Sequence, residues 1–250
     1  NTHITIGGYE KDCLKFCGRL HSDIACTADE YAIRLVNLLQ LYGASPAQIE
    51  GGILGSVVPM LSGRVLAALQ LLCKARILTV GPGLKSGIKL RLDNPAQLGA
   101  ELLCGAVAAL EEGPGPLAVI SADTAISIMA VNGKQELVGG VILPGPQLSL
   151  SALVQKTAQL PQIDLSAPAS SSILGKNTSA CLQNGFVLGT AGLLDGLAER
   201  FQAELGPDIR FYATGNLPRT IREACRTPIE YREYLITDGL YRIWQKNRKG

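Results

Sequence analysis

Alternating apolar and polar positions divide the first part of the chain into a hairpin followed by helices and short strands. Isoleucines alternate with polar residues from Thr2 to Gly7, and a second such run contains Leu14 and Phe16, which is typical of a β-hairpin. Thr27-Ala-Asp-Glu30 is a capping-box pattern and predicts the start of a helix that ends near Gly43. The same reasoning predicts strands at 52–57 and 76–80, and helices at 61–73 and between 95 and 110.

Glu111-Glu-Gly-Pro-Gly-Pro116 interrupts these patterns and is the best boundary in the chain. After it the pattern begins again. We predict strands at 117–121, 126–131 and through 142, helices at 149–160 and 178–205, a strand at 209–214 and a terminal helix. The sequence therefore predicts two domains, an N-terminal lobe at 1–113 and a C-terminal lobe at 114–250.

Each half begins with hairpin-type strands and continues with alternating helices and strands. Two such halves in tandem are typical of the two-lobed actin-like and sugar-kinase ATPases, an α/β class with mixed sheets and a ribonuclease H-like fold. In that class the nucleotide lies in the cleft between the lobes. The inference from two similar halves to this class is an analogy between folds. A single α/β domain with an antiparallel edge is the alternative that the pattern leaves open.

Composition gives no reason to expect a nucleic-acid or membrane partner. Of the 250 residues, 47% are hydrophobic and 18% are charged, which excludes a disordered chain. The net charge of +2 is close to neutral, no apolar run is long enough to span a bilayer, and the N-terminus does not read as a signal peptide. The seven cysteines include no CxxC pair, so we expect reduced, buried thiols and a cytoplasmic location.

Three glycine-containing turns could hold phosphate oxygens through their backbone N–H groups. They are Gly81–Gly87, which contains Lys85, the helix start after Asp93-Asn-Pro95, and Thr214-Gly215-Asn216. Phosphate transfer to a hydroxyl also needs a carboxylate, and Asp93, Glu101 and Asp123 lie near these turns. Each also has a structural interpretation, respectively as a helix cap, a charge that favours the helix dipole, and a turn residue.

The same segments resemble the motifs of type III pantothenate kinases. The co-linear matches are Gly81-Pro-Gly-Leu-Lys-Ser-Gly87 with Asp93–Leu102 for GPGxKTG…DNPxEVGADR, Gly139–Gly145 with Leu148-Ser149 for GGxIxPG…LS, Gly175-Lys-Asn-Thr178 for GKxT, and Asn1-Thr2 for the end of DxGNT. Gly189, Gly192 and Asp195 match within the predicted long helix. Because the matches cover nearly the whole chain, it is identified as a member of this family.

The resemblance implies ATP-dependent phosphorylation of pantothenate to 4'-phosphopantothenate, the first step of coenzyme A biosynthesis. It also implies Mg²⁺, a monovalent cation (K⁺ or NH₄⁺) and a homodimer, which we expect to form through the helix at 178–205. Two alternatives stay open. One is a catalytically silent paralogue that acts as a binding or regulatory protein, and the other is a kinase of another small hydroxylated substrate.

The resemblance also assigns site residues. The segment that takes the place of the family's GADR is expected to bind substrate together with Thr178, and it consists of Gly99, Ala100, Glu101 and Leu102. Glu101 is the expected general base, and we expect it to face the cleft near Gly81–Gly87. Asn1, Thr2, Thr124 and Gly215 are the expected nucleotide-binding residues.

Several expected catalytic residues are replaced. Glu101 is one methylene longer than the family's aspartate, and Leu102 replaces an arginine suited to an anionic substrate. Leu92 replaces a substrate-contacting tyrosine, and the aspartate expected to bind Mg²⁺ would precede Asn1, so we expect the first strand to be incomplete.

The second phosphate motif, DFGTATT in the family, reads Ser121–Ser127. Its aspartate, expected to bind the monovalent cation, is Ser121, and one of its glycines is Asp123, whose charge would repel phosphate. Asp123 holding a cation from a shifted position is the alternative. Asn216 replaces a glycine of the family's TGG.

Overall fold

The structure is a computed structural model that describes residues 3–167 and 172–248. The chain divides into two compact units. Unit 1 contains the described residues up to Ile88, Asp93–Ala108 and those from Tyr234 onward, and unit 2 contains Lys89–Leu92 and Ala109–Glu233. The C-terminal segment therefore belongs to the unit in which the chain begins. The boundary between residues 113 and 114 stays a prediction about domains.

Strands and helices are numbered in chain order within the described residues. The strands are β1 (His3–Glu10), β2 (Cys13–His21), β3 (Gly52–Leu54), β4 (Ile77–Thr79), β5 (Lys89–Leu90), β6 (Leu117–Ala122), β7 (Ala125–Val131), β8 (Glu136–Pro144), β9 (Arg210–Gly215) and β10 (Ile229–Tyr231). The helices are α1 (Ala28–Leu41), α2 (Pro59–Leu72), α3 (Ala100–Glu111), α4 (Pro146–Gln155), α5 (Thr178–Leu205), α6 (Arg219–Ala224) and α7 (Leu235–Asn247). Short 3₁₀ turns occur at Pro46–Gln48 and Pro95–Gln97.

Unit 1 begins with the predicted antiparallel hairpin of β1 and β2, while β3 and β4 form a separate parallel pair. The predicted capping box is present at the start of α1. The Thr27 hydroxyl accepts from the backbone N–H of Glu30, and the Glu30 carboxylate accepts from the N–H of Thr27. The apolar face of α1 packs on α2, which gives unit 1 a core around Tyr31 and Val65.

Helices α3 and α7 of unit 1 approach each other backbone to backbone. A Cβ at Gly239 would lie 1.9 Å from the carbonyl oxygen of Cys104, so only glycine allows this approach. Cys104 is fully buried in this packing. Helix α7 therefore holds α3 in place along its middle turn.

Unit 2 is built on a six-stranded mixed sheet in the order β10-β9-β6-β7-β8-β5. β6 pairs antiparallel with β7 and parallel with β9, β7 pairs antiparallel with β8, and β9 pairs parallel with β10. Three antiparallel strands followed by two parallel ones beside the first are the arrangement of ribonuclease H-like sheets. One face of the sheet packs on α5, with Ile120 and Ile126 against Val187 and Leu194. The predicted α/β class with mixed sheets is confirmed.

Most predicted elements are present within a few residues of their expected limits, and two predictions are wrong. A single terminal helix was expected after β9, but the chain forms α6, β10 and α7 there. The helix expected directly after Asp93-Asn-Pro95 is a 3₁₀ turn, and α3 begins only at Ala100. Strand β10 has three residues and is held by pairing with β9, a non-local cause that a local pattern does not carry.

The cysteines are only partly as expected. The described residues contain no disulfide bond, and Cys26 and Cys104 are buried. Cys13 and Cys181, however, are exposed. None of the helices in the described residues combines the length and the apolar character that a membrane span requires.

Candidate active site

The first turn of α3 carries Glu101 on its exposed side. This turn lies beside the end of β3: a Cβ at Gly55 would be 3.4 Å from the Cβ of Ala100. Gly99 is different, because a Cβ there would meet Val57 at an ordinary 3.5 Å. Packing therefore does not require glycine at position 99.

Leu102, in the position of the family's arginine, is only 9% exposed. Its apolar side chain is buried rather than exposed to solvent, so it offers no contact to an anion. Further along the same helix, burial and the nearby Glu101 charge raise the pKa of Cys104 to about 12. Cys104 is therefore a neutral packing residue at physiological pH.

The loop Gly81–Gly87 follows β4, and the parallel pairing of β3 and β4 brings it to the same edge as Gly55 and the start of α3. Its backbone is already bonded within unit 1. The N–H of Lys85 donates to Asn247 Oδ1 at 3.0 Å, and Asn247 Nδ2 donates back to the carbonyl of Lys85 at 3.0 Å. Because the N–H of Leu84 also donates to the carbonyl of Gly81 at 3.3 Å, this loop has fewer amides for phosphate than its glycines led us to expect.

In unit 2, every strand of the sheet except β7 ends at one edge. β6, β8, β9 and β10 run in the same direction, so the turns that follow them lie side by side. The carboxyl edge of parallel strands is where α/β proteins bind ligands. Two of the predicted nucleotide-binding residues, Thr124 and Gly215, lie at this edge.

The turn between β6 and β7 contains Asp123 and Thr124, and both are exposed. It is fixed from the side by Gly145, whose N–H donates to the carbonyl of Thr124 at 2.9 Å. A Cβ at Gly145 would lie 2.4 Å from the carbonyl oxygen of Asp123, which explains the glycine. Ser121, the predicted position for the monovalent cation, lies inside β6 and not in the turn. It is 9% exposed and pairs with Thr214 in β9.

The turn after β9 is held against the β6 turn by backbone contacts. Gly215 has a φ of +82°, and a Cβ there would lie 2.3 Å from the carbonyl oxygen of Ala122. The N–H of Asn216 donates to that same oxygen at 2.5 Å, and Asn216 Nδ2 donates to Asp123 Oδ1 at 3.0 Å. The two turns therefore form one rigid edge within unit 2.

Tyr231 is a residue of this edge that sequence reasoning missed. Its hydroxyl donates to the carbonyl of Gly215 at 2.8 Å, and the guanidinium of Arg222 lies 3.9 Å from the centre of its ring. The tyrosine thus fixes the turn from the β10 side. No sequence signal pointed to it, because β10 itself was not predicted.

Thr178 is the first residue of α5 and is exposed. The preceding Asn177 caps the helix by accepting from the N–H of Ala180 at 2.9 Å. Gly175 approaches the same turn so closely that a Cβ there would lie 2.4 Å from the nitrogen of Cys181. The Gly175–Thr178 motif therefore has a packing role at Gly175 and a solvent-facing hydroxyl at Thr178.

No group of three or more His, Cys, Asp or Glu side chains that could hold a metal occurs in the part of the chain that the structure describes. Ser121 supplies a hydroxyl where the resemblance implies a cation-binding carboxylate, so this position does not fit that role. Asp123 is a carboxylate engaged by Asn216. Asn1 and Thr2, the other predicted nucleotide-binding residues, lie outside the described residues.

Comparisons with known proteins agree with this class of fold. A crystal structure of a conserved protein assigned to the Baf family of transcriptional activators, from Campylobacter jejuni, is similar with a TM-score of 0.57 at 15% identity, covering 94% of this chain and 92% of that one. At that identity the likeness shows the fold alone. With its mixed six-stranded sheet and seven helices in the described residues, the chain is an α/β protein.

Comparison of amino-acid sequences shows the family to which the chain belongs. The model of the type III pantothenate kinase family matches residues 1–200. Type III pantothenate kinases from Geobacter sulfurreducens and Solibacter usitatus are 38% and 35% identical, covering 100% and 99% of this chain and 97% and 94% of their own lengths. The chain belongs to the type III pantothenate kinase family and is a phosphotransferase. These comparisons do not support the silent paralogue.

Proposed function

We propose that this chain transfers the γ-phosphate of ATP to the terminal hydroxyl of pantothenate, the first step of coenzyme A biosynthesis. The observation that carries the proposal is the match to type III pantothenate kinases along the whole chain. A carboxylate kept on the exposed first turn of α3 supports it, because a kinase of an alcohol needs a base there.

Glu101 is the base in this proposal and takes the proton from the attacking hydroxyl. General base catalysis contributes about 100- to 10,000-fold in rate. Gly99 and Ala100 bring backbone close to the substrate, while Leu102 is turned inward and contributes packing. Thr178 supplies an exposed hydroxyl as a further substrate contact.

Thr124 and Gly215 bind the nucleotide phosphates at the carboxyl edge of the unit 2 sheet. Mg²⁺ is expected to accompany ATP, since its ligands in kinases are phosphate oxygens, water and one or two carboxylates. Bound there, it neutralises charge on the phosphates. A requirement for K⁺ or NH₄⁺ is the part of the family pattern that these residues fit least, because position 121 carries a serine. A cytoplasmic location and the absence of a nucleic-acid partner stay predictions.

The proposal is tested by coupling ADP formation to NADH oxidation with the full-length protein, ATP, Mg²⁺ and pantothenate. We expect turnover that depends on pantothenate and stops when EDTA removes the metal. Repeating the assay with K⁺, NH₄⁺ or Na⁺ determines the cation requirement. Turnover with another small alcohol but none with pantothenate would contradict the substrate, and ATP binding without any turnover would favour the silent alternative.

We also propose that the chain forms a homodimer through α5. The apolar residues of this helix do not all face outward: Val187 and Leu194 are only 1% and 2% exposed and belong to the core of unit 2. The outer face of α5 carries Leu193 at 43% exposure. Beside it lie glycines where a Cβ would meet nothing within 4 Å: Gly185, Gly189, Gly192 and Gly196. Such a face allows close approach of a second helix.

Light scattering at micromolar concentration should report twice the monomer mass of 26.4 kDa. An interface of ordinary size would bury about 1,600 Å² in total. Gly189→Arg should shift the protein to a monomer, because the side chain would stand in the contact. Gly63→Arg is the matched control, since Gly63 is also an open helical glycine but lies in α2. A monomeric parent, or monomers from both variants, would contradict the dimer through α5.

A further inference from the structure

Two of the departures from the family pattern are in direct contact. Asp123 and Asn216 are 93 residues apart in the chain, yet Asn216 Nδ2 donates to Asp123 Oδ1 at 3.0 Å. Both positions correspond to glycines in the motifs that this chain resembles. Because the side chains meet, the two replacements act on one feature of the edge rather than on two separate turns.

The backbone around this contact is fixed on both sides. The N–H of Asn216 is held by the carbonyl of Ala122, and Gly215 is held by the hydroxyl of Tyr231. On the other side, Gly145 bonds to the carbonyl of Thr124. With the two backbones fixed, the hydrogen bond determines the direction of the Asp123 carboxylate, which is otherwise an exposed side chain at the tip of a turn.

The direction of that carboxylate matters for an anion bound at Thr124. A carboxylate beside a phosphate repels it, and the repulsion falls as the charges separate and as a donor neutralises part of the charge. The amide of Asn216 has both effects on Asp123. It holds one carboxylate oxygen toward the end of β9, which separates the charges, and it donates a hydrogen bond to that oxygen, which neutralises part of the charge.

We propose that Asn216 is a positioning residue for the nucleotide, which holds the Asp123 carboxylate against the end of β9 and so keeps Thr124 accessible to phosphate. This inference rests on the proposed function, since it assumes that ATP binds at this edge. The paired side chains allow an acidic residue in a phosphate-binding turn without loss of nucleotide affinity.

A double-mutant cycle on ATP affinity tests the pairing. Binding of ATP with Mg²⁺ is measured by calorimetry without pantothenate. Asn216→Ala keeps the backbone N–H and removes only the amide, so it should weaken ATP binding by about tenfold. Asp123→Asn removes the charge at equal size and should bind ATP at least as tightly as the parent. In the Asp123→Asn background, Asn216→Ala should have almost no effect.

Two further observations separate this role from a merely structural one. The loss in Asn216→Ala should shrink as the salt concentration rises, because it comes from an exposed charge. Asn216→Asp should weaken ATP binding more than Asn216→Ala, since it places a second carboxylate at the edge. Equal losses from Asn216→Ala in both backgrounds, or no loss in the parent background, would overturn the pairing while leaving the kinase proposal intact. A parent protein that does not bind ATP would overturn both.

Discussion

Glu101→Gln is expected to lower kcat for pantothenate phosphorylation by about 100-fold or more. Glutamine keeps the size of the side chain and its place on the first turn of α3 but cannot accept a proton. Since the proposed role of Glu101 is toward the attacking hydroxyl and not toward the nucleotide, the KM for ATP should change little. The measurement is steady-state kinetics with each substrate varied in turn.

Glu101→Asp should instead raise kcat. The parent carboxylate is one methylene longer than the family's base, and a displacement of about 1 Å can cost about 100-fold in rate. Shortening the side chain restores the family's reach, for which we expect a gain of about tenfold. Glu111→Gln, at the exposed opposite end of α3, is the matched control and should behave like the parent. If the two Glu101 variants also behave like the parent, Glu101 is only a charge at the start of a helix.

Local patterns predicted the elements whose cause is local. The capping box at Thr27 and Glu30 lies within four residues, and its two reciprocal hydrogen bonds form as expected. The hairpin of β1 and β2 follows from alternation and a short turn. The full extent of α5, from Thr178 to Leu205, was also predicted. In each case the signal and the structure are neighbours in the chain.

What sequence reasoning missed depends on residues that are distant in the chain. Asn247 Oδ1 accepts from the backbone N–H of Lys85, 162 positions earlier in the chain. This N–H is one of the loop amides that we had expected to bind phosphate. The contact between Asn216 and Asp123 spans 93 positions. The motifs identified the turns, but only the fold shows which backbone groups are already bonded within the protein. The roles of the site residues themselves stay predictions.

The buried face of α5 is another feature that the sequence alone could not predict. Leu193 and Leu194 are adjacent leucines in the sequence, but one is 43% exposed and the other 2%. On a helix, adjacent residues point about 100° apart, so an apolar run does not say which leucine faces the core. Packing of α5 on the sheet decides it.

Asp195 is a buried carboxylate on α5 whose loss we expect to destabilise the protein. Its side chain is 4% exposed and accepts from the backbone N–H groups of Arg226 and Thr227 at 3.0 and 2.9 Å. One residue separates them from β10, which carries Tyr231. Burial by itself would raise the pKa of Asp195, but hydrogen bonds from the backbone amides and the side chains of Arg226 and Thr227 together outweigh it, so the pKa lies below its ordinary value.

Asp195→Asn should therefore lower the free energy of unfolding by about 2 kcal/mol at neutral pH, roughly 30-fold in the folding equilibrium. The pKa of the carboxyl is lower in the folded state, so its contribution is fully present above the ordinary value of about 4. It is lost as the pH falls through the lowered value, where the parent's carboxyl also becomes neutral. The stability of the parent and of the variant should thus converge in acid.

Urea unfolding followed by circular dichroism, repeated between about pH 7 and pH 3, measures this difference. Glu199→Gln is the control, because Glu199 lies one turn further along α5 and contacts the same Arg226 at 3.4 Å, but is exposed. An exposed ion pair of this kind contributes about 0–1 kcal/mol, so this variant should stay close to the parent at every pH. If the difference in free energy of unfolding between Asp195→Asn and the parent stayed constant across the whole pH range, the charge of the carboxylate would not be the cause. The hydrogen-bonding geometry of the carboxyl group would then hold the segment before β10.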